Sequence, residues 1–436
     1  MKTKPGIHRI GMVSLGCAKN LVDAELLMKQ LEANNYELVF DPTNANDLDT
    51  AIINTCGFIG DAKKESVDTI LQFVNAKING QLQHVYVMGC LSERYQLQLR
   101  KEIPEVDEFF GVNDLKKIIR HLGGRYKSSL LGERMITSPG HFAYLKIAEG
   151  CDRKCSFCAI PLIRSKHRSR PLEDIVNEAK CLVAKGVKEL NVISQDTTYY
   201  GLDIYKKRRL PELLEALAHV SGLEWIRLHY TYPDGFPLDT LDVINTYPNI
   251  CKYIDIPLQH ISDRILGSMR RGITANETRR LIDTIRNRIP GVAIRTTFIT
   301  GYPGETAAEY KALRAFIEHA RFDRLGVFTY SAEEDTLAFG LKDSVSQRVK
   351  LQRAEELMSL QEGISQSINS NKIGSTVKVI LDRLEGEYFV ARTEFDSPEV
   401  DNEVLIPRRG SKLKPGSFHN VIITKAESFD LYAELV

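Results

Sequence analysis

Over the first 120 or so residues the apolar positions switch between two periods. Residues 10–15 form a short apolar run of the kind a buried strand makes, and it ends at Gly16-Cys17. Leu21, Val22, Leu26, Leu27 and Leu31 then recur at helical spacing. Residues 51–55 and 84–88 predict two further strands, each followed by a cysteine beside a glycine, Cys56-Gly57 and Gly89-Cys90. This alternation predicts an N-terminal parallel α/β domain over residues 8–122. A polar stretch bearing Gly, Ser and Pro, residues 123–140, reads as a linker.

From residue 141 the alternation continues at longer spacing. Strands are predicted at 142–148, 189–194, 225–230, 252–257, 292–299 and 324–330, and a connecting helix at about 346–370. Six β/α units predict a partial (β/α)6 TIM-type barrel, and with the connecting helix this central domain covers 137–367. Chemistry in such barrels sits at the C-terminal ends of the strands. Cys151, Gln195, Tyr230, Gln259 and Gly301 come directly after the predicted strands and would ring one mouth. The texture then changes again: short strands at 376–384, 388–393, 404–407, 419–425 and 431–436 predict a small C-terminal antiparallel β-barrel over 370–436.

Composition narrows the class. A chain of 436 residues exceeds one ordinary core, and 43% hydrophobic with 26% charged residues is a globular balance. A net charge of +1 provides no global field toward nucleic acid or acidic membranes. Eight cysteines in a chain this long are not a secreted disulfide scaffold. Residues 1–8 lack an apolar leader, and no apolar run reaches about 18 residues, so a reducing, cytoplasmic location is expected.

The chemistry is concentrated in Cys151-Asp-Arg-Lys-Cys155-Ser-Phe-Cys158. Thiolates at this density ligate soft metals, and iron–sulfur clusters are held by cysteine thiolates. Three ligands on a [4Fe-4S] cube leave one iron open, whereas a structural zinc site would need a fourth ligand nearby, and none is found at such spacing. The motif resembles that of the radical S-adenosylmethionine (radical SAM) enzymes, in which the open iron chelates S-adenosylmethionine. Phe157 fits too, since that family usually carries an aromatic residue before the third cysteine.

Cys17, Cys56 and Cys90 each come after a predicted strand, so a parallel sheet would bring them to one edge. Spacing alone leaves two readings: three separately buried cysteines, since free cysteine is commonly buried, or a second cluster, with the adjacent glycines allowing close backbone approach. Two three-cysteine sets and then a small barrel resemble the methylthiotransferases over nearly the whole chain. That resemblance implies an auxiliary [4Fe-4S] cluster on Cys17, Cys56 and Cys90, a radical SAM cluster on Cys151, Cys155 and Cys158, and a C-terminal TRAM domain. Residues 14–23, 54–59, 194–198, 228–233 and 255–260 resemble the branch that methylthiolates an aspartate of small-subunit ribosomal protein twelve. By that resemblance, one S-adenosylmethionine yields the radical that takes hydrogen from the aspartate β-carbon. A second methylates a sulfur on the auxiliary cluster. An electron donor such as flavodoxin or ferredoxin is implied as partner, with no membrane and no primary nucleic-acid partner. Ala18 stands where the branch usually has proline, and Ser165 where glycine is usual, which puts the backbone of that loop in question.

Supporting residues carry alternatives. Gln195, within Ser194-Gln195-Asp196, would contact the methionine moiety, or the triplet is a polar turn capping the next segment. Gly301, in residues 300–305, resembles the family's glycine-rich loop near the adenosyl group and lacks the lysine and spacing of a phosphate loop. The basic run 164–170 would hold an acidic substrate side chain or is a solvated loop. Cys181 and Cys251 are expected in the core, His229 and His260 as structural histidines, and no catalytic side chain is singled out beyond the cluster ligands.

Two rivals remain: a transfer-RNA adenosine methylthiotransferase with the same chemistry, and a non-catalytic iron–sulfur sensor or scaffold. Residues 371–436 hold nine Lys/Arg and eleven Asp/Glu, a net of 9 − 11 = −2. That balance speaks against phosphate binding and for a basic protein partner. Glu385, Glu387, Glu394, Asp396, Glu399, Asp401 and Glu403 would form the attracting face.

Overall fold

The structure, a computed structural model, describes residues 8–130, 132–408, 410 and 412–436. Residues 1–7, the larger part of the stretch in which a leader was sought, lie outside the described residues.

The first layer is a five-stranded, wholly parallel sheet in the order Glu37–Phe40, Arg9–Ser14, Thr50–Thr55, His84–Gly89, Glu108–Phe109. Its central strands are buried on both faces, as helix-covered parallel strands must be. One face packs on Ala18–Glu32 through Ala24, Leu27, Met28 and Leu31, the other on Gly60–Ile78 through Ile70, Phe73 and Val74. The two edge strands, Glu37–Phe40 and Glu108–Phe109, are short and only partly buried; their apolar runs, Leu38-Val39-Phe40 and Phe109-Phe110, are only three and two residues long, and sequence reading passed over them.

The stretch expected to be a linker is pinned. Buried Arg134 pairs with Glu25 at 3.2 Å and Glu178 at 3.0 Å, so it joins the first layer to the barrel. Thr137 donates to the same Glu25 carboxylate through its backbone N–H (2.8 Å) and its hydroxyl (3.0 Å).

The second layer is an open, six-stranded parallel sheet whose spatial order tracks the chain: Phe142–Lys146, Glu189–Ile193, Trp225–Leu228, Ile250–Asp255, Ala293–Thr300 and Arg324–Thr329. The expected partial barrel is present, and its largest core fills the space between strands and helices. Helix Gln347–Ser370 leads out of it. Cys251 is buried as expected, but Cys181 is exposed. Helix Leu172–Ala184 buries Ile175, Glu178, Ala179 and Leu182, and position 181 falls outside that stripe.

The C-terminal segment closes into a five-stranded barrel: Thr376–Glu385, Tyr388–Thr393, Glu403–Pro407, Asp430–Leu435 and Phe418–Ala426. Four of its pairings are antiparallel and one, Glu403–Pro407 with Asp430–Leu435, is parallel. An odd ring cannot alternate direction all the way round, so closing five strands demands one parallel pair.

This barrel caps the N-terminal ends of the six-stranded sheet. Trp225, Cys251, Tyr253 and Ala293 form an apolar cluster with Ile380, Phe395 and Phe418. Around it lie buried ion pairs: Arg392 to Glu189 (2.8 Å) and Asp382 (2.5 Å), Arg227 to Glu189 (3.0 Å), and Arg324 to Asp396. The acidic face expected on this barrel is therefore partly turned inward: Asp396 and the Asp401 side chain are buried, while Glu385, Glu387 and Glu399 are exposed. Asp396 and Asp401 are consumed by Arg324 and Arg295. Glu394 accepts from the Lys252 N–H, Glu399 accepts from the Tyr144 hydroxyl, and Glu385 and Glu403 share Arg383 at the surface. Buried arginines elsewhere in the chain claim the charge that the local count leaves unbalanced. Among the described residues no helix is long and apolar enough to cross a membrane.

Candidate active site

Parallel register aligns the C-terminal ends of neighbouring strands, and this gathers the first cysteine set. Ser14 lies beside Asn54 and Asn54 beside Met88, so the loops bearing Cys17, Cys56 and Cys90 leave one edge. Cys17 precedes helix Ala18–Glu32, and Cys90 opens helix Cys90–Glu102. The neighbouring glycines let these loops meet one another. Gly16 adopts φ +88°, and a Cβ there would lie 2.6 Å from Cys56 Cβ and 2.8 Å from its sulfur. A Cβ on Gly57 would lie 2.6 Å from the Leu91 backbone. Ser66 fixes Cys56 by accepting from its N–H (3.0 Å) and donating to its carbonyl (2.9 Å). Burial pushes the Cys90 thiol up to about 12, and nearby Cys17 and Cys56 add to the shift against the pull of Arg164.

The second set sits in the loop after the first barrel strand. Cys151 N–H donates to the Ser165 carbonyl at 3.1 Å, and Cys158 N–H to the Cys155 carbonyl at 3.2 Å. Burial drives the Cys151 and Cys158 thiols up to about 12. Cys155 instead accepts from Arg271 Nη1 at 3.4 Å, and the Tyr232 hydroxyl, which donates to the Arg271 carbonyl, lies 3.3 Å from its sulfur. Arg153 and Arg271 both lie against the Tyr232 ring, at 3.9 and 4.2 Å from its centroid. Soft thiols close together in one loop, with a cationic donor on one of them, fit an anionic iron–sulfur cube, whose binding would deprotonate them. Among the described residues no three His, Cys, Asp or Glu side chains converge on one point as a single ion requires. A cube does not ask for that, because each thiolate takes a different iron.

The two sets are neighbours. Cys90 packs with Ala159 and Ile163, directly after Cys158. Arg164, 2% exposed, ion-pairs Asp23 at 3.0 Å and Glu149 at 2.9 Å and donates to Cys90 Sγ at 3.5 Å. The basic run thus neither holds a substrate acid through Arg164 nor solvates it. Its first residue is a buried bridge, its Arg168 reaches Asn113 at 2.9 Å, and its Arg170 pairs with Glu178 at 2.6 Å. Ser165 keeps a glycine-like backbone, φ 61° and ψ −161°.

The remaining expected residues lie around the same mouth. Gln195 Nε2 donates to Glu149 at 2.6 Å, while its Oε1 and the Ser194 hydroxyl are buried without a hydrogen-bond partner. Asp196 caps the turn Thr197–Tyr199 and pairs with Arg153 at 2.8 Å, so the capping reading holds for this residue. Tyr230 lies under the Lys19 ammonium, 3.0 Å from the ring centroid. Gly301, φ +69°, lies under the Lys350 side chain; a Cβ there would be 2.2 Å from Lys350 Cγ. His229 is held between Asn191, Ser397 and Asp255, as expected of a structural histidine, whereas His260 accepts from Ser262 N–H but leaves its Nε2 buried without a hydrogen-bond partner, 3.9 Å from Glu305.

A cavity of about 630 Å³ opens at the barrel mouth. Phe58 to Asp61 line it from the first layer, Phe157 from the cysteine loop, Gln259 and Thr297 from the strand ends, and Lys350 from the connecting helix. Glu333 closes its far side by pairing with Lys63 at 2.6 Å and Arg94 at 2.7 Å. Sequence reasoning missed Glu333, Arg271 and Tyr232. Glu333 and Arg271 belong to no periodic pattern or motif, and buried pairing across distant segments leaves no local signal; Tyr232 lies within the stretch 228–233 that carries the resemblance, but nothing in that stretch marks it as facing a cysteine sulfur.

Comparisons with known proteins agree with this arrangement. Residues 9–111 match the uncharacterized protein family UPF0004, 145–317 the Radical SAM superfamily and 373–436 the TRAM domain. The chain is 54% identical over 428 residues to the ribosomal protein uS12 methylthiotransferase RimO of Cytophaga hutchinsonii, covering 98% of both chains. It is 51% identical over 428 residues to the RimO of Bacteroides fragilis, covering 98% of this chain and 99% of that one. Among solved structures, the radical S-adenosylmethionine methyltransferase TsrM of Kitasatospora setae shares the fold with TM-score 0.56 at 15% identity, covering 73% of this chain and 72% of that one. With near-full-length relatives of this identity, and both cysteine sets on the expected strand ends, the chain belongs to the RimO family of radical SAM methylthiotransferases.

Proposed function

We infer that this protein is a radical SAM methylthiotransferase that uses [4Fe-4S] clusters and S-adenosylmethionine to modify ribosomal protein uS12, at the β-carbon of an aspartate. The observation that carries the reading is the identity of 51–54% over 98% of the chain to relatives of that activity. The transfer-RNA and scaffold readings are not favoured by these relatives. Bound clusters and S-adenosylmethionine supply one-electron chemistry able to break an unactivated C–H bond, and the sulfur that takes its place.

The chain's own residues bind, orient and exclude water. We assign Cys151, Cys155 and Cys158 to the cluster that meets S-adenosylmethionine, and Cys17, Cys56 and Cys90 to the auxiliary cluster. Phe157, Gln195 and Gly301 are assigned to the cofactor. Phe157 lines the cavity, Gln195 carries an unpaired buried carbonyl beside Glu149, and Gly301 leaves room for Lys350. Glu333, holding Lys63 and Arg94, keeps the first layer over the barrel mouth and water out of the cavity. A small one-electron protein such as flavodoxin or ferredoxin is the proposed reductant, and the cytoplasm the proposed location. Reconstituted enzyme incubated with uS12 should add about 46 Da to one aspartate, as replacement of hydrogen by a methylthio group requires. Modification of transfer RNA with uS12 untouched would refute the substrate.

A further inference from the structure

Arg164 occupies an unusual position. It lies six residues past Cys158, yet its guanidinium spends its donors on the other cysteine set. Nη1 reaches Asp23 (3.0 Å), on the helix just past Cys17, and Glu149 (2.9 Å), two residues before Cys151. Nη2 reaches Asn20 Oδ1 at 2.5 Å and Cys90 Sγ at 3.5 Å. Asn20 in turn donates to the Leu15 carbonyl at 2.9 Å and the Thr55 carbonyl at 3.0 Å. Those carbonyls belong to the loops leading into Cys17 and Cys56. One buried guanidinium is thus tied to all three cysteine-bearing loops of the first layer.

Burying this cation is costly, and the structure compensates it closely. Lys146 also pairs with Asp23 and with Glu149 (2.7 Å), so two cations and two carboxylates balance in one buried cluster. Burial works against the Arg164 charge, but Asp23 and Glu149 outweigh it and hold its pKa above the usual value. Because the four charges cancel, the orientation of the guanidinium fork decides what the sulfur experiences. A lysine ammonium could not span the same four acceptors.

We propose that Arg164 is a positioning residue for the cluster on Cys17, Cys56 and Cys90, donating to the Cys90 sulfur and raising that cluster's reduction potential. The proposal rests on the assignment of those cysteines as cluster ligands. Hydrogen bonds to sulfur are among the determinants of iron–sulfur potentials. A cationic donor stabilises the more negative, reduced state. The cluster on Cys151, Cys155 and Cys158 has its own donor in Arg271 and should not respond to Arg164.

The test uses full-length chains carrying Cys151, Cys155 and Cys158→Ala, reconstituted with iron and sulfide and titrated potentiometrically by electron paramagnetic resonance. Arg164→Gln should lower the ratio of reduced to oxidised cluster at a fixed potential about tenfold, a shift of about 59 mV for one electron. Arg164→Lys should lower it less. Asp23→Asn loosens the same contact, keeps the donor to Cys90 and removes a negative charge, so it should not lower the potential. In the reciprocal background, with Cys17, Cys56 and Cys90→Ala, Arg164→Gln should leave the remaining cluster's potential unchanged. An unchanged potential in Arg164→Gln with about four irons bound, or equal lowering by Asp23→Asn, would overturn the proposal. A chain lacking Cys151, Cys155 and Cys158 that binds no iron would instead overturn the ligand assignment beneath it.

Discussion

Ser165→Gly should make this protein more stable. Ser165 holds φ 61° and ψ −161°, a region populated almost only by glycine, and such backbone strain costs about 1–3 kcal/mol. Glycine removes the strain but adds freedom to the unfolded chain, at about 0.5–1 kcal/mol. The serine side chain is exposed, and the interaction that matters is its carbonyl accepting from the Cys151 N–H at 3.1 Å, which glycine keeps. The net gain is therefore roughly 0–2.5 kcal/mol, centred near 1 kcal/mol. At about 2–4 °C per kcal/mol for a large domain, the apparent Tm should rise by a few degrees, up to about 10 °C. Differential scanning calorimetry of the metal-free chain at fixed scan rate reads this directly. Ser165→Ala is the control, since it deletes the same hydroxyl but keeps a Cβ in the strained region. If glycine and alanine shift Tm alike, or glycine lowers it, the strain argument is wrong.

Other consequences can be checked independently. Replacing Cys151, Cys155 and Cys158 together by alanine should leave about half of roughly eight irons and stop S-adenosylmethionine cleavage; iron analysis and chromatography of 5′-deoxyadenosine measure both. Replacing Cys17, Cys56 and Cys90 should abolish methylthio transfer to uS12 while some 5′-deoxyadenosine still forms, and sulfur insertion by that variant would return these residues to the core. Asp396→Asn leaves buried Arg324 without its counter-charge, a loss of about 3–5 kcal/mol. The single tryptophan, Trp225, packed edge-on against Phe418 at 4.9 Å, should report release of the C-terminal barrel by fluorescence. Burial holds His167 and His229 below the usual 6.5, so the unfolded chain takes up protons first as pH falls. Their stabilising contribution should be present above pH 6.5 and lost below it, and Tm measured from pH 7.5 to 5.5 should fall less steeply in His229→Asn.

Period and composition alone determined the layer order of this chain. Buried parallel strands need mostly apolar runs, so 51–55 and 84–88 announced Thr50–Thr55 and His84–Gly89, while the edge strands, partly in water, carry only the short runs Leu38-Val39-Phe40 and Phe109-Phe110. The cysteines were legible because parallel strands place their C-terminal ends together whatever the intervening sequence. Tertiary structure alone decided where the charges went. Arg164 read as part of a basic loop and Asp396 as part of an acidic face, yet each is buried against a partner far along the chain. An ion's fate depends on what desolvates it and what neutralises it, and both are supplied by segments distant in sequence. Local counts of charge therefore placed at the surface residues such as Arg164, Asp396 and Asp401 that folding turned into interfaces.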